Sequence, residues 1–469
     1  MPNEIYHKSN WGNANAEGFG DVYFDAAATN KLYNHSDYYE NSDGTDKILR
    51  DIPNKASITL TPTAYSDGSI NTVIPTDGNG DFDFSRGSSA TRVNEKGLIE
   101  SIASGLPRID YSSGFGSLLL EPQRTNLLTY SEDFSQTFWK KGAGLTITLN
   151  NAVSPDGSQT ATKIQKTSQD YLFLRAFFAP AIVGTLSVFI KKGNYRYVGI
   201  RNNETAGTTH SVFDFDTETF VTTASNHSLS FVKHENGWYR LIDYVSVDDN
   251  SNYQGIAITD VLGNEISTDI PLNSYVYVWG AQYEQNQSYP TSYIPTNGSS
   301  VTRSADAATG AGTSDTFNDS EGVLFAEISA LVNDTTNTTK AITISQASNN
   351  LLGFYYYESR IDAYVRVNGV NQFLKTHYLD PTINNKISLK YKTNDFALWI
   401  NGFEIDTDTN GTIPSGLNQL RFDDFSDKFY GKTKELAVFK EALTDAELEN
   451  LTSWVSFTEM ATDLEYTLE

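Results

Sequence analysis

Hydrophobic positions along this chain recur mostly at every second residue. GTLSVFIKK (184–192), WYRLIDYVSV (238–247), SYVYVWGAQYE (274–284) and RIDAYVRV (360–367) alternate or run apolar over strand-like lengths. Turn residues bound each of them, which is the pattern of strands rather than helical stripes. LTITL (145–149), TATKIQ (160–165), YLFLRAFF (171–178), YRYVGIR (195–201), SVFDFD (211–216) and YQGIAITD (253–260) read the same way. The fold class expected is therefore all-β. A jelly-roll sandwich is predicted over 118–305 and a second sandwich over 306–459, built from GVLFAEISALV, KAITISQA, LLGFYYYE, NKISLKYK, FALWINGFEID and KTKELAVFK.

Between the two sandwiches, SYIPTNGSSVTRSADAATGAGTSDT is small and polar, as a linker is. Ahead of them a small β unit is expected over 56–117, with a hairpin of TRV and LIE around Asn94-Glu95-Lys96-Gly97. Residues 1–55 are turn-rich and read as an arm; 460–469 read as a tail. One helix is predicted, Thr444 to Leu451, with Thr444 as cap and Glu447 completing a capping box. LLLEPQRTNLL (118–128) falls where the small unit meets the first sandwich. Pro122 ends the ladder there, and Glu121 and Arg124 are expected to hold the interdomain seam by a buried ion pair or hydrogen bonds.

Composition narrows the function. A formal charge of −24 over 469 residues repels nucleic acid and anionic lipid. The chain has no cysteine, which removes disulfides, thiolate catalysis and thiolate metal sites. No apolar h-region follows the start and no window approaches the length of a membrane span, so neither a secretory signal nor membrane insertion is expected.

Several stretches carry a resemblance. DGNGDFDFSRGSSATRVNEKGLIE (77–100), PRIDYSSGFGSLLLEPQRTNLLTYSEDFSQTFW (107–139), NGWYRL (236–241) and VWGAQYEQNQSYPTSYIPTNGSSVTRSAD (278–306) occur in order. Together they resemble a module of tailed-phage virion proteins described as tail-fibre or carbohydrate-binding proteins. LKYKTNDFALWINGFEID and GKTKELAVFKEALTDAELENL are similar to the strand–turn–strand hairpin and the closing strand and helix of concanavalin-like, laminin-G-like sandwiches. The resemblance implies a non-enzymatic tail fibre or receptor-binding protein, made in the host cytoplasm and carried on the virion. It implies an arm that docks on other virion proteins, host surface polysaccharide as ligand, and a homotrimer by analogy. A head or collar decoration protein and, further off, a glycan depolymerase are the alternatives.

Candidate chemistry is sparse. Asp77, Asn79, Asp81 and Asp83 place oxygen ligands at alternate positions, as in a calcium loop, but Phe82 and Ser88 stand where an EF-hand needs Gly and Glu. That leaves a structural Ca²⁺ site or a solvated turn. EIDTDT (404–409) is similar to the Glu-x-Asp-x-x-Glu strand of laminarinase-like glycosidases, with Thr409 in place of the acid/base carboxylate. Glycan-binding sandwiches stack sugar rings on aromatic faces. The candidates are Tyr289 and Tyr293 in the first sandwich and Tyr355 and Tyr357 in the second. Alternation sends Tyr355 and Tyr357 to the opposite face from Phe354 and Tyr356. Trp238 and Trp279 sit in apolar strands and are expected in the core.

Overall fold

A computed structural model describes Ile52 and residues 55–453, apart from positions 63, 178–182, 203–209, 225, 247–252 and 334–339. The arm expected over 1–55, but for two positions, and the tail of 460–469 lie outside the described residues. The described chain is all-β, with antiparallel ladders in two sandwiches and a capped helix at Asp445–Thr452.

The central sandwich pairs two six-stranded sheets. One runs in the order Lys140–Lys141, Phe173–Phe177, Tyr253–Ile258, Tyr197–Asn202, Ser211–Asp214, Thr219–Thr222. The other runs Leu145–Ala152, Ala161–Lys166, Tyr275–Gln285, Gly184–Lys192, Trp238–Val245, His227–His234. Inward residues such as Leu174, Val188, Ile200, Leu241 and Ile256 form its core. Trp238 and Trp279 are buried, packed with Phe189 and Tyr293 in a satellite cluster.

The terminal sandwich has a five-stranded sheet ordered Val370–Tyr378, Arg360–Val367, Asn350–Tyr357, Lys340–Ala347, Gln419–Arg421. It faces an eight-stranded sheet whose centre is Glu321–Ala330 beside Gly431–Phe439. At its far edge Asn401 and Gly402 turn the hairpin with φ of 53° and 85°, the left-handed pair that an Asn-Gly turn supplies. The helix carries the expected capping box: Thr444 accepts from Glu447 N, and Glu447 reaches back to Thr444 N at 2.7 Å.

The small unit expected over 56–117 does not stand apart. Ala56–Leu60 pairs with Gly431–Phe439, matching Leu60 to Leu436, and Ser117–Leu120 pairs with the same strand through Leu118 and Thr433. Ile58, Leu60, Leu118 and Leu120 enter the same core as Leu324, Phe354 and Leu436. Phe82–Ser85 likewise pairs with Ala307–Thr309. The central sandwich is therefore an excursion between two segments that build the terminal sandwich together. The physical reason is plain: strands this short have no core of their own and bury their apolar side chains on the nearest large sheet.

Where the chain leaves and re-enters, five buried charges meet. Glu121 takes ion pairs from Arg108 at 2.6 Å and Arg303 at 2.5 Å. Asp306 takes Arg108 at 2.5 Å and Arg86 at 3.1 Å. Ser292 N donates to Glu121 Oε1 at 2.7 Å, and Glu121 N donates to Asp306 at 2.8 Å. Burial alone would raise the Glu121 carboxyl, but Arg303 and Arg108 outweigh it and hold it at about 2. Arg124 does not belong to this set. It lies over the Tyr289 ring at 5.4 Å, and its Nη1 donates to Gln123 O. The partners of Glu121 come from remote sequence, because Arg124 lies on a strand paired with Val301–Arg303 whose register gives the inward place to Arg303.

Candidate functional site

The five-stranded sheet of the terminal sandwich has one face on the core and one face turned outward. Leu352, Phe354, Tyr356, Ile361, Ala363 and Val365 point inward. Period-two alternation then turns Tyr355, Tyr357, Arg360, Asp362, Tyr364 and Arg366 to the other face, where Asp362 and Tyr364 are covered and the other four are half-buried. Tyr355 and Tyr357 are half-buried while Phe354 and Tyr356 are buried, the split that the YYY run dictates.

Cross-strand register assembles this face. Tyr355 stands opposite Asp362, and Asp362 opposite Thr376; Tyr357 stands opposite Arg360, and Arg360 opposite Tyr378. The Tyr355 and Tyr364 rings meet at 5.4 Å between centroids. Arg360 lies over the Tyr357 ring at 4.4 Å and donates from Nε to Asp362 at 3.2 Å. Thr376 donates to the other Asp362 oxygen at 2.5 Å. Burial, then Asp362, push the Tyr355 hydroxyl up to about 12, so it stays protonated and able to donate at any physiological pH. Tyr378 is 72% exposed at one rim.

The opposite rim is a loop. Arg421 pairs bidentately with Asp423, Nε at 2.6 Å and Nη2 at 3.1 Å, and stacks on Phe425 at 4.3 Å. Phe425 has φ of 76°, a conformation that a bulky residue adopts only under constraint. Strain of this kind costs on the order of 1–3 kcal/mol and gathers at ligand clamps. Beneath the loop, the Tyr364 hydroxyl is buried with no hydrogen-bond partner among the described residues, the kind of exception that calls for an explanation. Aromatic rings, hydroxyls, guanidinium groups and carboxylates thus share one surface, on which Arg360 and Arg421 are paired with Asp362 and Asp423 while Arg366 bonds to Asn371 and lies over Tyr364. Such a surface can stack on the apolar face of a sugar and meet its hydroxyls with both donors and acceptors.

The other expected residues fall elsewhere. Tyr293 is 3% exposed, packed on Trp279 at 4.6 Å, with its hydroxyl donating to Glu132 at 2.8 Å. It is a core residue and has no face to offer a sugar; its segment, QSYPTSYIP, has no alternation to give its direction. Tyr289 lies under Arg124 and lines a small cleft of about 170 Å³ between the two sandwiches. Asp77 accepts from Asn79 N at 3.0 Å and Asn79 Nδ2 at 2.7 Å, while Asp81 accepts from Thr72 N at 2.7 Å. These are turn hydrogen bonds, and Asp77, Asn79, Asp81 and Asp83 are not gathered into a cation cage; among the described residues no three acidic or histidine groups are so gathered. Glu404 is exposed on the edge strand Phe403–Asp408, and Asp406 is paired with Lys375 at 3.0 Å.

No family model matches the sequence, and no curated protein matches it. Solved structures with loose similarity include the CBM40 of the Ruminococcus gnavus IT-sialidase bound to α2,3-sialyllactose, at 14% identity over 29% of this chain and 84% of that one, with a TM-score of 0.25. Domain 4 of the extracellular GH43 arabinanase AbnA of Geobacillus stearothermophilus, in complex with arabinotriose, shares 12% identity over 36% and 84%, with a TM-score of 0.26. The receptor-binding domain of a botulinum neurotoxin, mosaic serotype C/D, shares 13% over 31% and 38%, at 0.24. Superpositions this loose carry no functional inference.

Proposed function

We propose that this chain is a non-enzymatic, glycan-binding virion protein of a tailed phage, a tail fibre or receptor-binding protein. Its grip on host surface polysaccharide is the outward face of the five-stranded sheet. The observation that carries the reading is the pair of half-buried rings Tyr355 and Tyr357 beside Arg360 and Arg366 on the outer face of the sheet, backed by the buried Tyr364 and Asp362. The ordered motifs of 77–306 support the virion context. Thr409, in place of a second acid on the Glu404–Asp406 strand, argues against double-displacement hydrolysis there.

The full chain, applied to an array of bacterial surface polysaccharides, binds a subset of them and releases no reducing ends. Preincubating host cells with the chain lowers phage adsorption. Release of oligosaccharide overturns the non-enzymatic part of this reading; undiminished adsorption overturns the receptor-binding part.

A further inference from the structure

The central sandwich has an outward face of its own, on the sheet that contains Phe173–Phe177. Leu174 and Ala176 point into the core, so Phe173, Arg175 and Phe177 point out. The neighbouring strand answers with Tyr253, paired with Phe177, and with Gly255, paired with Arg175. On the other side of Gly255 stands Arg201. A Cβ at Gly255 would lie 2.6 Å from Arg175 Cα, so the position between the two arginines has no side chain.

Arg175 is held in an aromatic clasp, its guanidinium 3.6 Å from the Phe173 centroid and 4.3 Å from Tyr253. Lys140, paired with Arg175 across the edge strand, lies over Phe177 at 5.4 Å. Neither Arg175 nor Lys140 has an ion-pair partner among the described residues. Glu265 lies within electrostatic reach of both Arg175 and Arg201. Phe177 is 42% exposed, so the aromatic edge is open to solvent.

We infer that this face is a second glycan site, selective for an anionic saccharide: a sugar ring stacked on Phe177 and Tyr253 with its carboxylate on Arg175 and Lys140. A planar guanidinium fixed by aromatic stacking suits bidentate capture of a carboxylate. The contrast with the first face is one of charge. There the guanidinium groups of Arg360 and Arg421 are matched by Asp362 and Asp423; here the Arg175 guanidinium and the Lys140 ammonium are left for the ligand. The inference rests on the glycan-binding reading but on separate residues, so the two fail separately.

The test uses the full chain on carboxylated oligosaccharides, both hexuronate and sialoside, beside their neutral counterparts, with sulfated sugars as a further arm. Acidic oligosaccharides bind more tightly than neutral ones, and binding weakens with added salt. Arg175→Ala lowers affinity for the acidic set by about tenfold or more. Lys140→Glu, on an exposed edge, lowers it in the same direction with the melting temperature unchanged. Tyr355→Ala leaves it intact. Equal binding of acidic and neutral sugars, no acidic ligand at all, or preference for sulfate alone overturns the inference, as does full binding by the Lys140→Glu variant.

Discussion

Glu121 shows how much a single residue can depend on sequence far away. Its carboxylate is 3% exposed and sits between Arg108 and Arg303, which lie 13 and 182 positions from it. Glu121→Gln leaves two guanidinium groups short of a counter-charge, so a loss of about 3–5 kcal/mol is expected, read as a lower apparent melting temperature. The pH dependence follows from the direction of the shift. The folded pKa, about 2, lies below the unfolded one. The stabilisation is therefore present in full above the unfolded carboxylate value of about 4.3 and fades as pH falls from there toward 2. An acid titration of the melting temperature checks this: the wild type loses stability over that window, and Glu121→Gln loses less. The run LLLEPQR marks the seam and the carboxylate but not its partners, since Arg124 is close in sequence and remote in register. The Tyr355 and Tyr357 orientation was legible for the opposite reason: an uninterrupted strand has a fixed parity, and LLGFYYYE counts it out. Asp77 and Asp81 take local donors, so adding a calcium chelator leaves the melting temperature unchanged; a clear drop contradicts this reading of the turn.

At the scale of elements, most strands were legible because apolar alternation names them directly. Thr219–Thr222, His227–His234 and Val370–Tyr378 were missed. Each lies at the edge of a sheet, where one flank meets solvent and polar residues such as His227, Lys233 and Asn371 dilute the alternation. The helix could be read to its cap, and Thr444→Ala should cost about 1 kcal/mol, visible as a small drop in melting temperature with glycan binding retained. The partner of Ala56–Leu60 could not be read. Nothing local in ASITL specifies a strand some 380 positions away, and a run of apolar residues fits any sheet with a free flank. This pairing makes a strong prediction. A fragment of 306–453 lacks Ile58, Leu60, Leu118 and Leu120 from its core and will be insoluble or unfolded by circular dichroism. Supplying 56–120 through a short linker in place of the central sandwich restores it. A stable, cooperatively folding 306–453 contradicts the shared core.

For the whole molecule, the topology makes the two sandwiches one unit. The chain crosses between them twice, and Arg108, Glu121, Arg303 and Asp306 pin the crossings. Two outward faces with different charge character then sit on a common frame, which suits a protein that grips an extended polysaccharide at more than one point. The most direct measurement is the affinity of the Tyr355→Ala/Tyr357→Ala double variant of the full chain for the polysaccharide that the wild type binds best among neutral ones. Loss of at least about tenfold, with an unchanged melting temperature, is the result predicted. Unchanged affinity in a folded double variant contradicts the assignment of the grip to this face.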